Sequence, residues 1–175
     1  MVTLYNRKGD SMECENHRGI KLMEHIMKLP ERIIESKLRK IVKIHKVQFG
    51  FMPGKSTIDA IFIIRQVQEK YMEGNRKLYW CFVDLEKAFD RVPREVVYWS
   101  LRKRGVPERL VRMIKSLYSG ARTVVRTKCG KTDAFDVKVG LHQGSALSPF
   151  LFAVVIDVLS EDVREAMLWD LLFSR

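Results

Sequence analysis

The chain has 175 residues, 46% of them hydrophobic, which suffices for the core of one globular domain or of two lobes that share a core. Its net charge of +11 and sequence pI near 9.7 favour a polyanionic partner, nucleic acid before membrane, although a basic surface can also serve solubility alone. The three cysteines, Cys14, Cys81 and Cys129, fit neither a disulfide framework nor a zinc site, which favours a reducing compartment. No apolar run approaches the ~20 residues of a membrane span, and the first residues lack the apolar stretch of a signal peptide.

The first forty residues combine a polar start with a helical pattern. Residues 1–15 are predicted to be a polar lead-in without regular structure. From Ile20 onward, apolar residues recur at spacings of three, four and seven, which indicates a helix. Pro30 lies inside this pattern and removes a backbone donor at a cost of ~3 kcal/mol. We therefore predict a break or kink there, with a cleaner helix over residues 31–43.

The next stretch, QFGFMPGKSTIDAI over residues 48–61, opens a second helix. Ser56 or Thr57 is a suitable cap, and the helix is predicted to run from near Thr57 to about Met72. Its core-facing residues are predicted to be Ile58, Ile61, Phe62, Ile64 and Val67.

The tetrapeptide GKST at residues 54–57 ends like a phosphate-binding P-loop and offers an NTPase as an alternative. That motif needs a glycine five residues before Gly54, where this chain has Phe49. The NTPase is therefore the weaker interpretation.

The segment LYWCFVDLEKAFDRVP, residues 78–93, is predicted to begin with a buried strand. Residues 78–83 are aromatic and β-branched, too few for a helix and without helical period. Asp84 ends this apolar run, and its charge would need compensation, most simply by a divalent cation. The alternative is that Asp84 only turns the chain.

Two helices and a hairpin are predicted next. Pro93 opens a helix that ends at Gly105, and Pro107 opens another that ends at Gly120. Residues 122–127 and 135–139 then form two strands of a hairpin with one wet, basic face. The basic face suits contact with template phosphates, and a merely solvated hairpin is the alternative.

A loop rich in small residues, GLHQGSALSP over residues 140–149, precedes a predicted long helix over residues 150–167. Ser148 and Pro149 suit its first turn. Small residues let the backbone approach a flat ligand closely.

These motifs together resemble the reverse transcriptases. FVDLEKAFDRVPRE resembles their first catalytic motif, an Asp on a strand followed five residues later by an aromatic ring, in the form found in the RTE-like group of non-LTR retrotransposons. NHRGIKLMEH and QFGFMPGKSTIDAI resemble two fingers motifs, and GLHQGSALSPFLFAVVIDVLS resembles the palm motif that follows the catalytic strand. Four motifs in the family's order cover nearly the whole chain.

The resemblance implies an α/β (α+β) fold, the fingers plus partial palm of a right-hand polymerase. The implied regions are a lead-in (1–15), fingers (16–77), the first part of the palm (78–121), a fingers hairpin (122–139) and a truncated palm (140–175). The implied partners are an RNA template, a DNA primer and a deoxynucleotide, and the implied location is intracellular, in the nucleus or cytoplasm.

The resemblance also implies the site residues. Asp84 is the catalytic carboxylate and, with the carbonyl of Leu85, would bind Mg²⁺, while Phe89 would stand under the nucleotide sugar and exclude a 2′-hydroxyl. The remaining contacts are expected from Gln143, Gly144 and Arg18 to the nucleotide, and from Arg122, Arg126 and Lys128 to nucleic acid. On composition alone, Phe89 would be a core residue and Gln143 an ordinary loop residue.

The end of the sequence departs from the family pattern. An aromatic residue followed by Ala-Asp-Asp is expected, and this chain reads Phe173-Ser174-Arg175. One carboxylate cannot hold two Mg²⁺ ions, so the sequence predicts a truncated chain that does not polymerise alone. A basic nucleic-acid-binding module without chemistry is the alternative.

Overall fold

The computed structural model describes residues 1–5, 9–10, 12–13, 16–21, 24–127 and 130–165. These residues form a mixed helix and sheet fold, so the predicted α/β class is confirmed. The strands are β1 (Val2–Tyr5), β2 (His17–Ile20), β3 (Arg122–Thr123), β4 (Arg126–Thr127), β5 (Gly130–Lys131) and β6 (Phe135–Asp136). The helices are α1 (His25–Ile41), α2 (Thr57–Glu73), α3 (Ala88–Arg91), α4 (Arg94–Lys103), α5 (Glu108–Tyr118), α6 (Ser148–Leu159) and α7 (Glu161–Glu165).

The core is helical and centres on α6, which is apolar on nearly all sides. Helix α4 packs against α6, and α1 and α5 add Leu38 and Ile114, both fully buried. Each such side chain contributes about 1.5–3 kcal/mol when it leaves water. This cluster of four helices is therefore the frame that positions the loops.

Helix boundaries set by local signals were predicted correctly. Ser56 caps α2: its hydroxyl accepts from the Ile58 N–H at 3.1 Å, and the Asp59 carboxylate accepts from the Ser56 N–H at 2.8 Å. Helix α4 follows Pro93 and is closed by Gly105, whose φ of +73° suits a residue without a Cβ.

The prediction for the region around Pro30 was wrong. Ile20 lies in β2, and α1 begins at His25 and continues through Pro30 without a break. Pro30 stands in the second turn, where the surrounding residues 25–27 and 29 are exposed. Water can bind the carbonyl group that loses its donor there, so the helix tolerates the proline.

The expected unstructured lead-in contains a strand. Val2–Tyr5 pairs antiparallel with His17–Ile20, Val2 opposite Ile20 and Tyr5 opposite His17. β1 also meets Arg126 of β4 in parallel, which gives a four-stranded sheet in the order β2-β1-β4-β5. Nonlocal pairing of this kind leaves little signal in a short polar sequence.

The hairpin forms, in a different shape from the one predicted. β3 pairs with β6 in a separate two-stranded sheet, Arg122 opposite Asp136 and Thr123 opposite Phe135. β4 pairs with β5 instead of continuing β3. Phe135 and Val139 are exposed, so the predicted dry face is absent from this hairpin.

Two predicted buried surfaces are exposed. Of the five apolar residues assigned to the core from α2, only Val67 is buried. Residues 76–85 form no strand, and Phe82 and Val83 are 80% and 81% exposed. A strand needs a ladder partner, and none of the strands in the described ranges runs beside this segment. Residues 78–83 are apolar as the prediction assumed, but no described strand pairs with them.

The predicted helix over residues 150–167 starts earlier and is divided. α6 begins at Ser148 with Pro149 in its first turn, and Ser160 separates it from α7. Residues 166 and 167 lie outside the described part.

A buried carboxylate links α6 to its surroundings. Asp157 is 1% exposed and forms ion pairs with Arg104 at 2.7 Å and Arg164 at 3.1 Å. It also accepts the backbone N–H of His45 at 3.1 Å. One side chain thus joins the loop after α1, the end of α4, and α7.

Replacement of Asp157 by alanine should lower the free energy of unfolding by about 3 kcal/mol, because it leaves Arg104 and Arg164 without their buried counter-charge. Urea denaturation measures this loss. Asp162→Ala, which removes an exposed acid on the neighbouring helix, should change stability by less than about 0.5 kcal/mol. Equal effects of the two substitutions would contradict the role given to Asp157.

Candidate active site

A cleft of about 960 Å³ contains five of the nine sequence-predicted site residues. It is bounded by the loop before α3, the loop before α6, and part of the loop after α1. The predicted residues that line it are Asp84, Leu85, Phe89, Gln143 and Gly144.

Phe89 lies between two other rings. Its ring stacks on Phe152 of α6, with centroids 4.5 Å apart, and meets Phe51 edge-on at 5.7 Å. The short helix α3 that carries it begins after Lys87, whose φ of +50° turns the chain sharply. Phe89 is therefore both a packing residue and part of the cleft wall.

The loop before α6 is attached to α3 by its backbone. The Leu141 N–H donates to the Phe89 carbonyl at 2.7 Å, and the Gly140 N–H donates to the Val92 carbonyl at 3.0 Å. A Cβ at Gly140 would lie 2.5 Å from the Asp90 carbonyl oxygen, and φ there is +83°. Glycine is required here for close approach.

Gln143 is held from two sides. Its side-chain Nε2 donates to Asp90, 2.8 Å from each carboxylate oxygen. Its backbone carbonyl accepts the Lys21 backbone N–H at 2.9 Å. At Gly144, a Cβ would lie 2.6 Å from the Lys21 carbonyl oxygen. The end of β2 thus packs directly on the loop that carries Gln143.

A buried histidine lies behind this loop. His142 is 8% exposed; its ring lies 4.5 Å from that of Tyr118, and the Lys21 ammonium donates to its Nε2 at 3.2 Å. Burial, together with the smaller effect of the positive charges of Lys21 and Arg94, lowers the pKa of His142 to about 4. Burial also lowers the pKa of Lys21. His142 is therefore neutral at pH 7.

Two charged residues that sequence reasoning missed support the same loop. Glu31 of α1, 3% exposed, accepts the Ala146 N–H at 2.9 Å. The Arg94 guanidinium donates to the carbonyls of Gly140 at 3.1 Å and Tyr118 at 3.0 Å. Neither residue stands out in the sequence, because each belongs to an ordinary charged helix pattern.

The predicted contacts Arg122 and Arg126, whose side chains the structure describes, do not line the cleft. Arg18 lies in β2 opposite Leu4, and its side chain, like Lys128, is outside the described part. Arg122 and Arg126 are exposed on the hairpin, and Arg122 lies 3.5 Å from the Asp136 carboxylate.

The described residues do not fit a two-metal site. Glu86 pairs with Arg91 at 3.2 Å, and both oxygens of Asp90 accept from Gln143. Asp84 remains as one carboxylate, and within the described ranges no three His, Cys, Asp or Glu residues come together as metal ligands. Two Mg²⁺ ions need more oxygen ligands than this.

The structure gives no support to the P-loop alternative. The Lys55 ammonium donates to the carbonyls of Lys46 and Gln48, the latter at 3.2 Å, and lies 5.2 Å from the Phe49 ring. Lys55 thus holds its own loop together.

The mixed helix and sheet fold and the order of the motifs are consistent with the fingers and palm of a nucleotide polymerase. The family profile described as "Reverse transcriptase (RNA-dependent DNA polymerase)" matches residues 6–174. The chain therefore belongs to the reverse transcriptase family, which generally uses a divalent metal.

Its relatives come from non-LTR retrotransposons. The chain is 28% identical over 163 residues to the "Retrovirus-related Pol polyprotein from type-1 retrotransposable element R2" of Popillia japonica, covering 90% of this chain and 22% of that protein. It is 28% identical over 158 residues to the "Probable RNA-directed DNA polymerase from transposon BS" of Drosophila melanogaster, covering 87% and 17% respectively. The chain thus spans less than a quarter of the length of these relatives. None of the described helices is long and apolar enough to cross a membrane.

The pKa of His142 predicts a loss of stability in mild acid. The unfolded chain, with a histidine pKa near 6.5, takes up a proton more readily than the folded chain does. Stability should therefore fall as the pH drops from about 6.5 towards 4, with about 2 kcal/mol lost by pH 5. Urea denaturation at pH 7 and pH 5 should show that this loss disappears in His142→Gln. It should persist in His25→Gln, which changes an exposed histidine.

Proposed function

We propose that this chain carries the nucleotide-binding part of an RNA-directed DNA polymerase encoded by a non-LTR retrotransposon. The observation that supports this most is the cleft in which Asp84, Phe89 and Gln143 line one space. These residues come from two motifs far apart in the sequence, and the fold brings them to one cleft. The RTE-like group remains our proposal for the subgroup.

The cleft accounts for a division of roles. Phe89 would face the sugar. Its packing between Phe51 and Phe152 would prevent the ring from moving aside to make room for a 2′-hydroxyl. Gln143 and Gly144 would contact the nucleotide from the loop before α6, and Arg18 would approach the triphosphate. Asp84 and the Leu85 carbonyl are the proposed metal ligands. Because they leave the metal site incomplete, we expect no polymerisation by this chain without carboxylates from elsewhere.

The wider assignments follow from the same proposal. The template would be RNA, the primer DNA and the substrate a deoxynucleoside triphosphate, with Mg²⁺ as the metal. Residues 16–77 and 122–139 would belong to the fingers, and residues 78–121 and 140–175 to the palm.

Primer extension on an RNA template with deoxynucleotides and Mg²⁺ tests this proposal. The chain alone should give no extension, whereas a fusion to a relative's segment that carries the Ala-Asp-Asp motif and thumb should extend the primer. Asp84→Ala in that fusion should abolish extension, and Asp133→Ala, an exposed acid outside the cleft, should not. Extension by the unfused chain would show that other carboxylates complete the site.

The same assay with ribonucleotides checks the role of Phe89. A fused Phe89→Ala variant that still rejects ribonucleotides would contradict the proposed sugar contact.

A binding module without chemistry is the second candidate, favoured by the exposed basic residues Arg122 and Arg126 on the hairpin. Each phosphate contact on a single strand contributes about 0.7 to the slope of log K against log salt concentration. The double substitution Arg122→Ala and Arg126→Ala should therefore reduce that slope for single-stranded RNA by about 1.4. Arg65→Ala with Lys70→Ala removes the same charge from exposed positions of α2 and should leave the slope closer to that of the native chain.

A further inference from the structure

We infer that Asp90 is a positioning residue: it fixes the orientation of the Gln143 amide at the wall of the nucleotide cleft. This inference rests on the proposed function, because Gln143 matters only if the cleft binds a nucleotide. Asp90 itself is not among the residues assigned to metal or nucleotide above.

The geometry that carries the inference is a contact between residues 53 positions apart. The Gln143 Nε2 lies 2.8 Å from both Oδ1 and Oδ2 of Asp90. A carboxylate at neutral pH only accepts hydrogen bonds, so the nitrogen end of the amide must face Asp90. The carbonyl Oε1 then points to the other side. The contact therefore selects one of the two orientations that an amide side chain can take.

The backbone around both residues is fixed independently of this contact. Phe89 and Val92 accept from the loop on either side of Asp90, and Lys21 donates to the Gln143 carbonyl. The side-chain contact adds little to the fold, because Asp90 is exposed. The contact restricts the rotation of the Gln143 side chain. Less conformational entropy of this side chain is then lost when a ligand binds.

The orientation also limits what Gln143 can contact. Its Oε1 can only accept, so it pairs with a hydrogen-bond donor of the ligand and not with a phosphate oxygen. A carboxylate in a nucleotide cleft has a further effect, since Asp90 repels a triphosphate. Removal of its charge should strengthen binding by electrostatics alone, whereas loss of positioning should weaken binding. The two effects have opposite signs.

The test is a titration of the 175-residue chain with deoxycytidine triphosphate in the presence of Mg²⁺. The variants are Asp90→Leu, which has no acceptor, Asp90→Asn, which keeps one, Gln143→Ala, and Asp90→Leu combined with Gln143→Ala. Asp133→Leu is the matched control, an exposed acid outside the cleft. The side-chain amide signals of Gln143 in a ¹⁵N spectrum report the contact without any ligand.

We expect Asp90→Leu and Gln143→Ala each to lower affinity about tenfold, as for one hydrogen bond to a charged group, and the double variant to lose no more than either single one. Asp90→Asn should stay within about threefold of the native chain, and Asp133→Leu should match it. The Gln143 amide signals should move in Asp90→Leu and not in Asp133→Leu.

Two results overturn the inference while the proposed function stands. One is that Asp90→Leu binds as tightly as Asp90→Asn, which removes the same charge but keeps an acceptor. The other is that the losses multiply in the double variant. A native chain that binds no deoxycytidine triphosphate overturns the proposed function and this inference with it. The amide signals then show separately whether the Asp90 contact exists.

Discussion

The arrangement of the cleft depends on how residues 140–148 are held, because this segment has almost no regular structure and yet carries Gln143. It is fastened by α3 through the carbonyls of Phe89 and Val92, by β2 through Lys21, and by α1 through Glu31. Each contact gives a hydrogen-bond partner to a backbone group of the loop that would otherwise lack one within the protein. Gly140 and Gly144 permit these contacts, since any side chain there would collide with backbone atoms. The loop is thus shaped by its neighbours more than by its own sequence.

The segment that leads to Asp84 shows the opposite situation. Its apolar residues are those of a buried strand, and the structure leaves Phe82 and Val83 in water. Single exposed apolar side chains are common, whereas a run of them, with backbone groups outside any ladder, is a surface on which another strand can pair. Asp84 lies at the end of this run and takes its position from a segment that lacks the support the Gln143 loop has. The described part of the structure therefore gives the Gln143 loop more backbone hydrogen bonds to its neighbours than the segment before Asp84.

Much of the helical frame could be predicted from sequence, because its boundaries depend on local chemistry. Ser56 caps α2, Pro93 precedes α4, and Gly105 closes it, as the pattern indicated. The errors concern pairing at a distance: the strand in the lead-in, the division of the hairpin, and the exposed residues 78–83. Their partners are set by tertiary contacts that no short window contains. Family resemblance predicted Asp84, Phe89 and Gln143 as site residues, and the residues that support them were visible only in the fold.

In the cleft, the groups proposed to recognise the nucleotide differ from those that would neutralise the charge of its triphosphate. Asp84, Glu86 and Asp90 line the cleft together with Lys87, so a triphosphate that enters meets more acidic than basic side chains. Glu86 is neutralised by Arg91, and Asp90 is engaged with an uncharged amide that leaves its charge in place. Favourable binding of a polyanion then requires cations, whether metal ions or basic side chains brought from the fingers. Asp90 raises this electrostatic cost while it orders Gln143. A residue with such opposed effects is consistent with a site in which precise placement of the nucleotide matters more than its affinity.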